Sequence, residues 1–496
     1  MNDATIIREP QLEFASGQRL EHPRDGLTLF GPVDSKGIEK PSHICYAAFG
    51  TQQGVRSLLD FIRTMNRPAT DQMLDEVLWP NYPGFEEAFH AILPPEPAWI
   101  EEISDDVLTK AATNQDAHQR VFDVVSLFLE RMKVAKKRDD PFRLFIVVVP
   151  DLIYNNCRPL SRFTGGHGHR VSRRERRIRS VMGDFFEAYD SEQYSFSLDF
   201  RRQIKARVMQ LEIPIQIIRE STLRLISPEH RFGARQLTPL SDRAWNLGAA
   251  IYYKIGGKPW KLSGVREGVC YVGVSFKNTE DNGNSACCAA QMFLDDGDGV
   301  VFLGDEGRWY SEHRGEYHLN AKSAERLLSG VLNTYREQHG KKLIEVFLHC
   351  RSTVNEEEFE GYRAACPSDI KLVAIRVAPE RLGLRLYRAG TRPVMRGTFW
   401  KISPRRGFLW GSGFKPRLRT YDGSDVPQPL CIDIQHGEAD IDLVARDILS
   451  LTKLNYNCCK LGENEPVTIH FSDAVGEILV TNRRLGNHLP NFKYYI

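Results

Sequence analysis

Lys254 closes an apolar stretch, Asn246-Leu-Gly-Ala-Ala-Ile-Tyr-Tyr-Lys254, and Ile-Gly-Gly-Lys-Pro-Trp260 follows. Leu247, Ala250, Ile251 and Lys254 recur every three or four residues, so they share one helical stripe. Gly256-Gly257 ends this predicted helix and Pro259 keeps it from restarting. A cation in a last turn complements the helix dipole; alternatively, Lys254 points into a site for an anion. Arg201 and Lys205 are four apart and face the same way on a second predicted helix over 200–210. Gln216 comes eleven residues later, on a predicted strand. Between Arg381 and Arg419 lie eleven Lys/Arg and no acid, interleaved with Tyr387, Phe399, Trp400, Phe408, Trp410 and Phe414. That mixture suits phosphates and unstacked bases, and Arg405, Arg406, Lys415 and Arg417 are its candidate backbone contacts. It also suits a solvated basic face or a protein interface. A second run, Arg158 to Arg179, holds eight arginines and one acid, Glu175.

Other residues that could do chemistry have plainer readings. Asp295, Asp296, Asp298, Asp305 and Glu306 are clustered, but Asp296-Gly-Asp-Gly reads as a hairpin loop. His349 ends an apolar strand, where histidine is usually structural. The 10 cysteines form no Cys-x-x-Cys pair, and the adjacent pairs Cys287-Cys288 and Cys458-Cys459 suit no zinc site, so reduced, mostly buried thiols are expected. No glycine-rich phosphate loop of the Walker or dinucleotide type is present, which argues against an enzyme for a small phosphorylated ligand.

The elements that position these residues are α/β in type. With 496 residues, two to four domains are expected. At 42% hydrophobic and 26% charged, the composition is that of a soluble globular protein; the +2 net charge selects no partner. No apolar run approaches a membrane span or a signal-peptide core, so the expected location is the cytoplasm. Residues 1–40 are rich in turns and read as an arm or irregular cap. Strands at 44–50, 142–150 and 213–218 alternate with helices from Thr51, over 114–138, 172–189 and 200–210, the pattern of a Rossmann-like domain over 41–257. From 258 the pattern resets. Strands at 269–276, 287–294 and 299–304 form a meander. Helices at 321–338, 356–365 and 438–454 then follow, with strands at 343–349 and 371–377. Val467–Phe471 leads into a last helix near 473–480. This is the order of an RNase H-like fold over 258–496.

Four segments in this order resemble a short prokaryotic Argonaute, a MID domain followed by a PIWI domain. They are Ile213-Pro-Ile-Gln-Ile-Ile-Arg-Glu-Ser-Thr222, Tyr253-Lys-Ile-Gly-Gly-Lys-Pro-Trp260, Leu449-Ser-Leu-Thr-Lys-Leu-Asn-Tyr-Asn457 and Phe492-Lys-Tyr-Tyr-Ile496. Glu9–Phe14 and Gly31-Pro32 are similar to the opening of such proteins. The resemblance runs from about residue 140 to the last, with no room for N and PAZ domains. It implies a pocket for a guide 5′-phosphate built from Arg201, Lys205, Gln216 and Lys254. It also implies a Mg²⁺ held by Gln216 and the carboxylate of Ile496. The family pattern has Tyr or His where Arg201 stands, so the ring on which a first base stacks is missing there.

The resemblance further implies that this chain does not cut. Ser275 occupies the place of the first catalytic Asp, Ser352 that of the second, and Asp473 that of the fourth. One carboxylate cannot hold two metals. The alternative is a guide-directed nuclease with shifted acids. An inactive chain of this type is expected to pair a guide RNA with complementary single-stranded DNA and to work with an APAZ-domain partner fused to a TIR, sirtuin-like or nuclease effector. Activation of a TIR or sirtuin-like effector would deplete NAD⁺ in prokaryotic defence. The arm 1–40 and the aromatics of 381–419 are candidate partner surfaces.

Overall fold

A computed structural model describes residues 4–37, 40–70, 77–159, 161, 196–225, 237–264, 266–278, 286–293, 299–307, 310–311, 316–339, 342–380, 383–421, 423, 425–481 and 489–496. The expected helix over 172–189, most of the first basic run, and Asp295, Asp296 and Asp298 lie outside the described residues.

The chain opens with three two-residue strands, β1 (Thr5–Ile6), β2 (Leu12–Glu13) and β3 (Arg19–Leu20), and a helix, α1 (Pro23–Phe30). The Rossmann-like half follows as β4 (Tyr46–Gly50), α2 (Gln52–Met65), α3 (Phe85–Phe89), β5 (Trp99–Glu102), α4 (Asp105–Ala112), α5 (Ala117–Lys136), β6 (Leu144–Val149), α6 (Asp151–Asn156), α7 (Phe200–Val208), β7 (Ile215–Arg219) and α8 (Leu240–Lys254). Its four strands are all parallel, in the order β5-β4-β6-β7. β4 and β6 are buried along their whole length, because helices cover both faces of a parallel sheet; their continuous apolar runs are the consequence. Side-chain caps start the helices: Thr51 accepts from Gly54 N, Asp116 from His118 N and Gln119 N, and Asp199 from Arg201 N and Arg202 N. α8 stops at Gly256, whose φ of 99° a residue with a side chain adopts only under strain.

After β8 (Lys261–Leu262) comes the RNase H-like half: β9 (Val269–Asn278), β10 (Ala286–Phe293), β11 (Gly299–Gly307), a small hairpin of β12 (Tyr310–Ser311) and β13 (Glu316–Tyr317), α9 (Ala321–His339), β14 (Glu345–Cys350), α10 (Glu356–Ala365), β15 (Lys371–Pro379), β16 (Thr398–Ser403), β17 (Arg406–Leu409), β18 (Leu430–His436), α11 (Ile441–Leu451) and α12 (Val467–Thr481). A nine-stranded sheet runs β1-β16-β17-β18-β15-β14-β9-β10-β11. β9 to β11 form the expected antiparallel meander, and β14 lies parallel between β9 and β15. α12 packs on β9 so closely that a Cβ on Gly273 would sit 1.9 Å from Thr468 O. Residues 467–471 are therefore the first turns of α12, not a separate lead-in. β16, β17 and β18 were not read from the sequence: β16 and β17 are short and mixed in polarity, and Asp433 and Gln435 interrupt the apolar residues of β18.

The described residues up to 40 are not a free arm. β1 extends the nine-stranded sheet at β16, and β2 joins β3 to β8 in a three-stranded sheet. Glu9 is paired with Arg396 at 2.9 Å and Lys453 at 2.9 Å, both of which are buried. Burial raises the Glu9 pKa, but these two cations outweigh it and hold the carboxyl below its ordinary value. Arg24 bonds Cys459 O and pairs with Asp242 of α8, so α1 joins both halves. Replacing Glu9 with Ala leaves two buried cations unpaired and should cost about 3–5 kcal/mol in denaturant unfolding. A loss below about 0.5 kcal/mol, ordinary for a surface residue, would show the segment to be peripheral.

Candidate functional site

A cavity of about 490 Å³ opens where α6, α7, β7, α8 and the C-terminal residues meet. Arg201, Lys205, Gln216, Lys254 and Ile496 all line it. Each arrives on an element whose sequence fixes its direction. Asp199 caps α7, and the helix then sets Arg201 and Lys205 one turn apart. β7 is the edge strand of its sheet, with Gln216 in register with Ile146 of the buried β6. Lys254 is the last residue of α8, and its Nζ donates to Gln216 Oε1 at 2.7 Å. Lys205 Nζ donates to Tyr495 O at 3.0 Å, which ties the end of the described chain to α7.

Behind the cavity the quoted segments meet in one aromatic stack. Tyr253 stacks on Tyr456 at 4.5 Å, Tyr456 packs against Trp260 at 5.2 Å, and Phe492 lies 6.4 Å from Tyr253. Trp260 donates to Lys453 O at 3.0 Å, and Tyr456 OH donates to Trp260 O at 2.9 Å. Lys254 and Ile496 thus stand on a rigid apolar base shared by both halves of the molecule.

The electrostatics are one-sided. Arg158, Arg219 and Arg243 join Arg201, Lys205 and Lys254 on the wall, against one lining carboxylate side chain, Asp199. Burial pushes Lys205 down to about 7, helped by Arg201, with Asp199 opposing. Burial pushes Lys254 well below the ordinary lysine value, and Lys205 and Arg201 add to this.

Sequence reading missed several lining residues. One ring does line the cavity, from α6: that of Tyr154, with the Arg219 guanidinium 3.9 Å and that of Arg158 4.4 Å from its centre. Arg219 is held by Asp151 at 2.5 Å. Asn246 and Asn457 also face the cavity; both lay inside quoted segments, and only their packing distinguishes them from neighbours.

The nominal catalytic positions gather at another place. Ser275 follows the last β9–β14 pair, Val274 with Cys350, and Ser352 lies two residues beyond that pair. Ser275 is buried and donates to Ser472 O at 2.7 Å, beside Asp473 on α12. His349 is buried, bonded to Thr468 Oγ1 at 2.9 Å, and pushed by burial to about 3, so it is neutral and structural. Among the described residues no group of three or more His, Cys, Asp or Glu could hold a metal, and the cysteines whose side chains are described are free thiols. Among them, too, no helix is long and apolar enough to cross a membrane.

The four expected backbone contacts do not share a surface. Arg405 spends its guanidinium on Ile434 O and Gly437 O, Arg406 is exposed in β17, Lys415 is buried, and Arg417 pairs with Asp25 of α1. Two of the six aromatics of that run are also turned inward. Phe399 and Trp410 are core residues, so they offer no partner surface.

No protein-family model and no curated protein matches the chain. Solved structures do match. Clostridium butyricum Argonaute, bound to a guide DNA and a 19-mer target DNA, aligns over 100% of this chain and 55% of its own, with a TM-score of 0.63 and 14% identity. A. aeolicus Argonaute aligns over 99% of this chain and 56% of its own (TM-score 0.55, 14% identity). Drosophila Piwi aligns over 99% and 56% (TM-score 0.59, 13% identity). The chain therefore has an Argonaute-like fold, a Rossmann-like MID unit followed by an RNase H-like PIWI unit. It spans about 55% of the length of these proteins.

An anion in the cavity should raise the depressed pKa of its lysines, so binding should take up protons. Lys205 is charged below about 7 and neutral above it in the empty site. Affinity for a 5′-phosphorylated oligonucleotide should fall as pH rises from 7 to 9, approaching tenfold per unit for one coupled proton. Calorimetry in buffers of different ionisation enthalpy should show the uptake. A flat profile without uptake would mean that both lysines are charged before binding.

Proposed function

We propose that this chain holds the 5′-phosphate of a guide RNA in the cavity of Lys205, Gln216 and Lys254, pairs the guide with complementary single-stranded DNA, and does not cut. The observation that carries this is the convergence of those residues, with Arg201 and Ile496, on one cavity rich in cations. A buried dianion needs several cations or a metal, and a cavity of several cations equally needs an anion. Base pairing would read the sequence while the protein holds the backbone.

The residues present fit a Mg²⁺ only together with the ligand. The Gln216 amide oxygen and the Ile496 carboxylate would hold it, and phosphate oxygens and water would complete its shell. Bound there, it would neutralise part of the phosphate charge. Gln216 would also orient Lys254, to which its oxygen is already bonded.

Wild-type protein should prefer 5′-phosphorylated over 5′-hydroxyl RNA, and Lys205→Glu with Lys254→Glu should remove that preference, weakening the phosphorylated guide about 30-fold or more. EDTA, or residues added after Ile496, should weaken it too if the metal is held as described. Equal wild-type binding of both guides would sink the assignment.

Absence of cleavage rests on Ser275 and Ser352 at two of the nominal metal positions, with Asp473 the one acid among the three positions named. The chain loaded with guide and labelled complementary DNA should leave the DNA whole in Mg²⁺ or Mn²⁺; cutting near the middle of the duplex would favour a nuclease with shifted acids. The signal would then pass to an APAZ-domain effector of TIR, sirtuin-like or nuclease type in a prokaryotic immune response. This requires that a protein encoded beside this chain co-purify with it and gain activity only with guide and target. An active effector without this chain would refute that step.

A further inference from the structure

A second cavity, of about 620 Å³, lies between α4 and α5 and shares no lining residue with the first. Val107, Ala111 and Leu127 give it apolar walls, and Asn114, Asp123 and Ser126 add polar groups. The apolar surface continues beyond it. Val107 is 47% exposed. Val134, seven residues after Leu127 and so about 10 Å along the same side of α5, is 50% exposed. Hydrogen bonds from neighbouring elements hold the walls in place. Arg207 of α7 donates to Ser126 Oγ at 2.9 Å and to Phe122 O at 3.3 Å. Arg120 donates to Asn114 O at 2.6 Å and to Asn156 O of α6 at 2.9 Å.

Asp123 accepts from Gln119 Nε2 at 2.7 Å, and among the described residues no cation lies within ion-pair distance of it. Burial raises its pKa, the Gln119 bond opposes this, and Asp116 adds to it. The other lining charges are placed differently. Glu130 pairs with Lys133 at 2.9 Å, Arg131 lies 4.0 Å from Glu101 of β5, and Lys110 stands on α4. A half-buried carboxylate beside apolar walls suits an ammonium or guanidinium carried on an apolar body, and it repels a phosphate backbone.

We propose that the α4–α5 groove docks an amphipathic helix of a partner protein, which lays an apolar stripe along Val107, Leu127 and Val134 and sets a lysine or arginine against Asp123. A helix fits because two helices wall the groove, and because the apolar footprint outruns the cavity and is longer than a small amine needs. Walls already held by Arg207 and Arg120 lose little freedom on docking. Nothing in this depends on what the first cavity holds.

The test uses the full chain and a fluorescently labelled helical peptide of about 14 residues, with leucines on one stripe and a lysine beside it. Anisotropy should show saturable binding, about tenfold or more weaker when glutamate replaces the lysine. Asp123→Asn keeps the shape of the side chain and should remove most of that difference. Val107→Asp should abolish binding of both peptides; Val107 is exposed, so the melting temperature should not move. Carboxyl NMR should show the Asp123 pKa falling when the lysine peptide binds, which a merely structural carboxylate would not do. Equal affinity for the two peptides, or binding that survives Val107→Asp, overturns the proposal. So does a concentration-dependent dimer of the chain alone that Val107→Asp breaks, which gives the groove to a second copy.

Discussion

Two ammonium groups, Lys205 and Lys254, share one cavity, and among the described residues neither has a carboxylate within ion-pair distance. Their partners are neutral, the Tyr495 carbonyl and the Gln216 amide oxygen. Such a pair is held together against its own repulsion and against the loss of water, which is why both pKa values are depressed. The fold must supply the free energy for this elsewhere. It does so in the layer behind the site, where Tyr253, Trp260, Tyr456 and Phe492 form a dry stack built from three separate segments.

That layer also explains the position of the site. The Rossmann-like half brings Lys205 on α7, Gln216 on β7 and Lys254 on α8, and the RNase H-like half brings Asn457 and the last residues. A cavity at such a joint can be positively charged on one side and apolar at its base, because each half contributes its own kind of surface. The first forty residues reinforce the joint: β1 lies on one sheet, β2 pairs with the strand that follows α8, and Arg24 and Glu9 each reach across to the 396–463 region. The opening segment therefore sets how the halves meet.

The PIWI-like sheet carries a different balance. Around Ser275 the strand is buried, its hydroxyl is spent on Ser472 O, and Gly273 lets α12 lie directly on the sheet. Serine satisfies itself locally there, whereas a carboxylate at the same depth would need a cation or a metal. The lysine cavity and the surroundings of Ser275 are thus opposite ways of burying polar groups, one gathering cations around a pocket and the other satisfying a neutral hydroxyl on the backbone.

The sequence by itself determined the elements that depend on local chemistry. Continuous apolar runs made β4 and β6 readable as central parallel strands, the glycines after Lys254 marked the end of α8, and the ordered segments at 213–222, 253–260, 449–457 and 492–496 indicated an Argonaute-like fold. Only the tertiary structure decided which of the many cations matter. Arg405, Lys415 and Arg417 look as available in the sequence as Lys205, yet they bond carbonyls, are buried or pair with Asp25. The run that holds them reads as basic and aromatic throughout, yet Phe399 and Trp410 are buried while Arg405 and Arg406 are exposed, and that division depends on packing that pairs β16 with β1 from the start of the chain. Tyr154 entered the cavity for the same reason: α6 and α7 are separated by more than forty residues of sequence, and packing, not spacing, brings them to one wall.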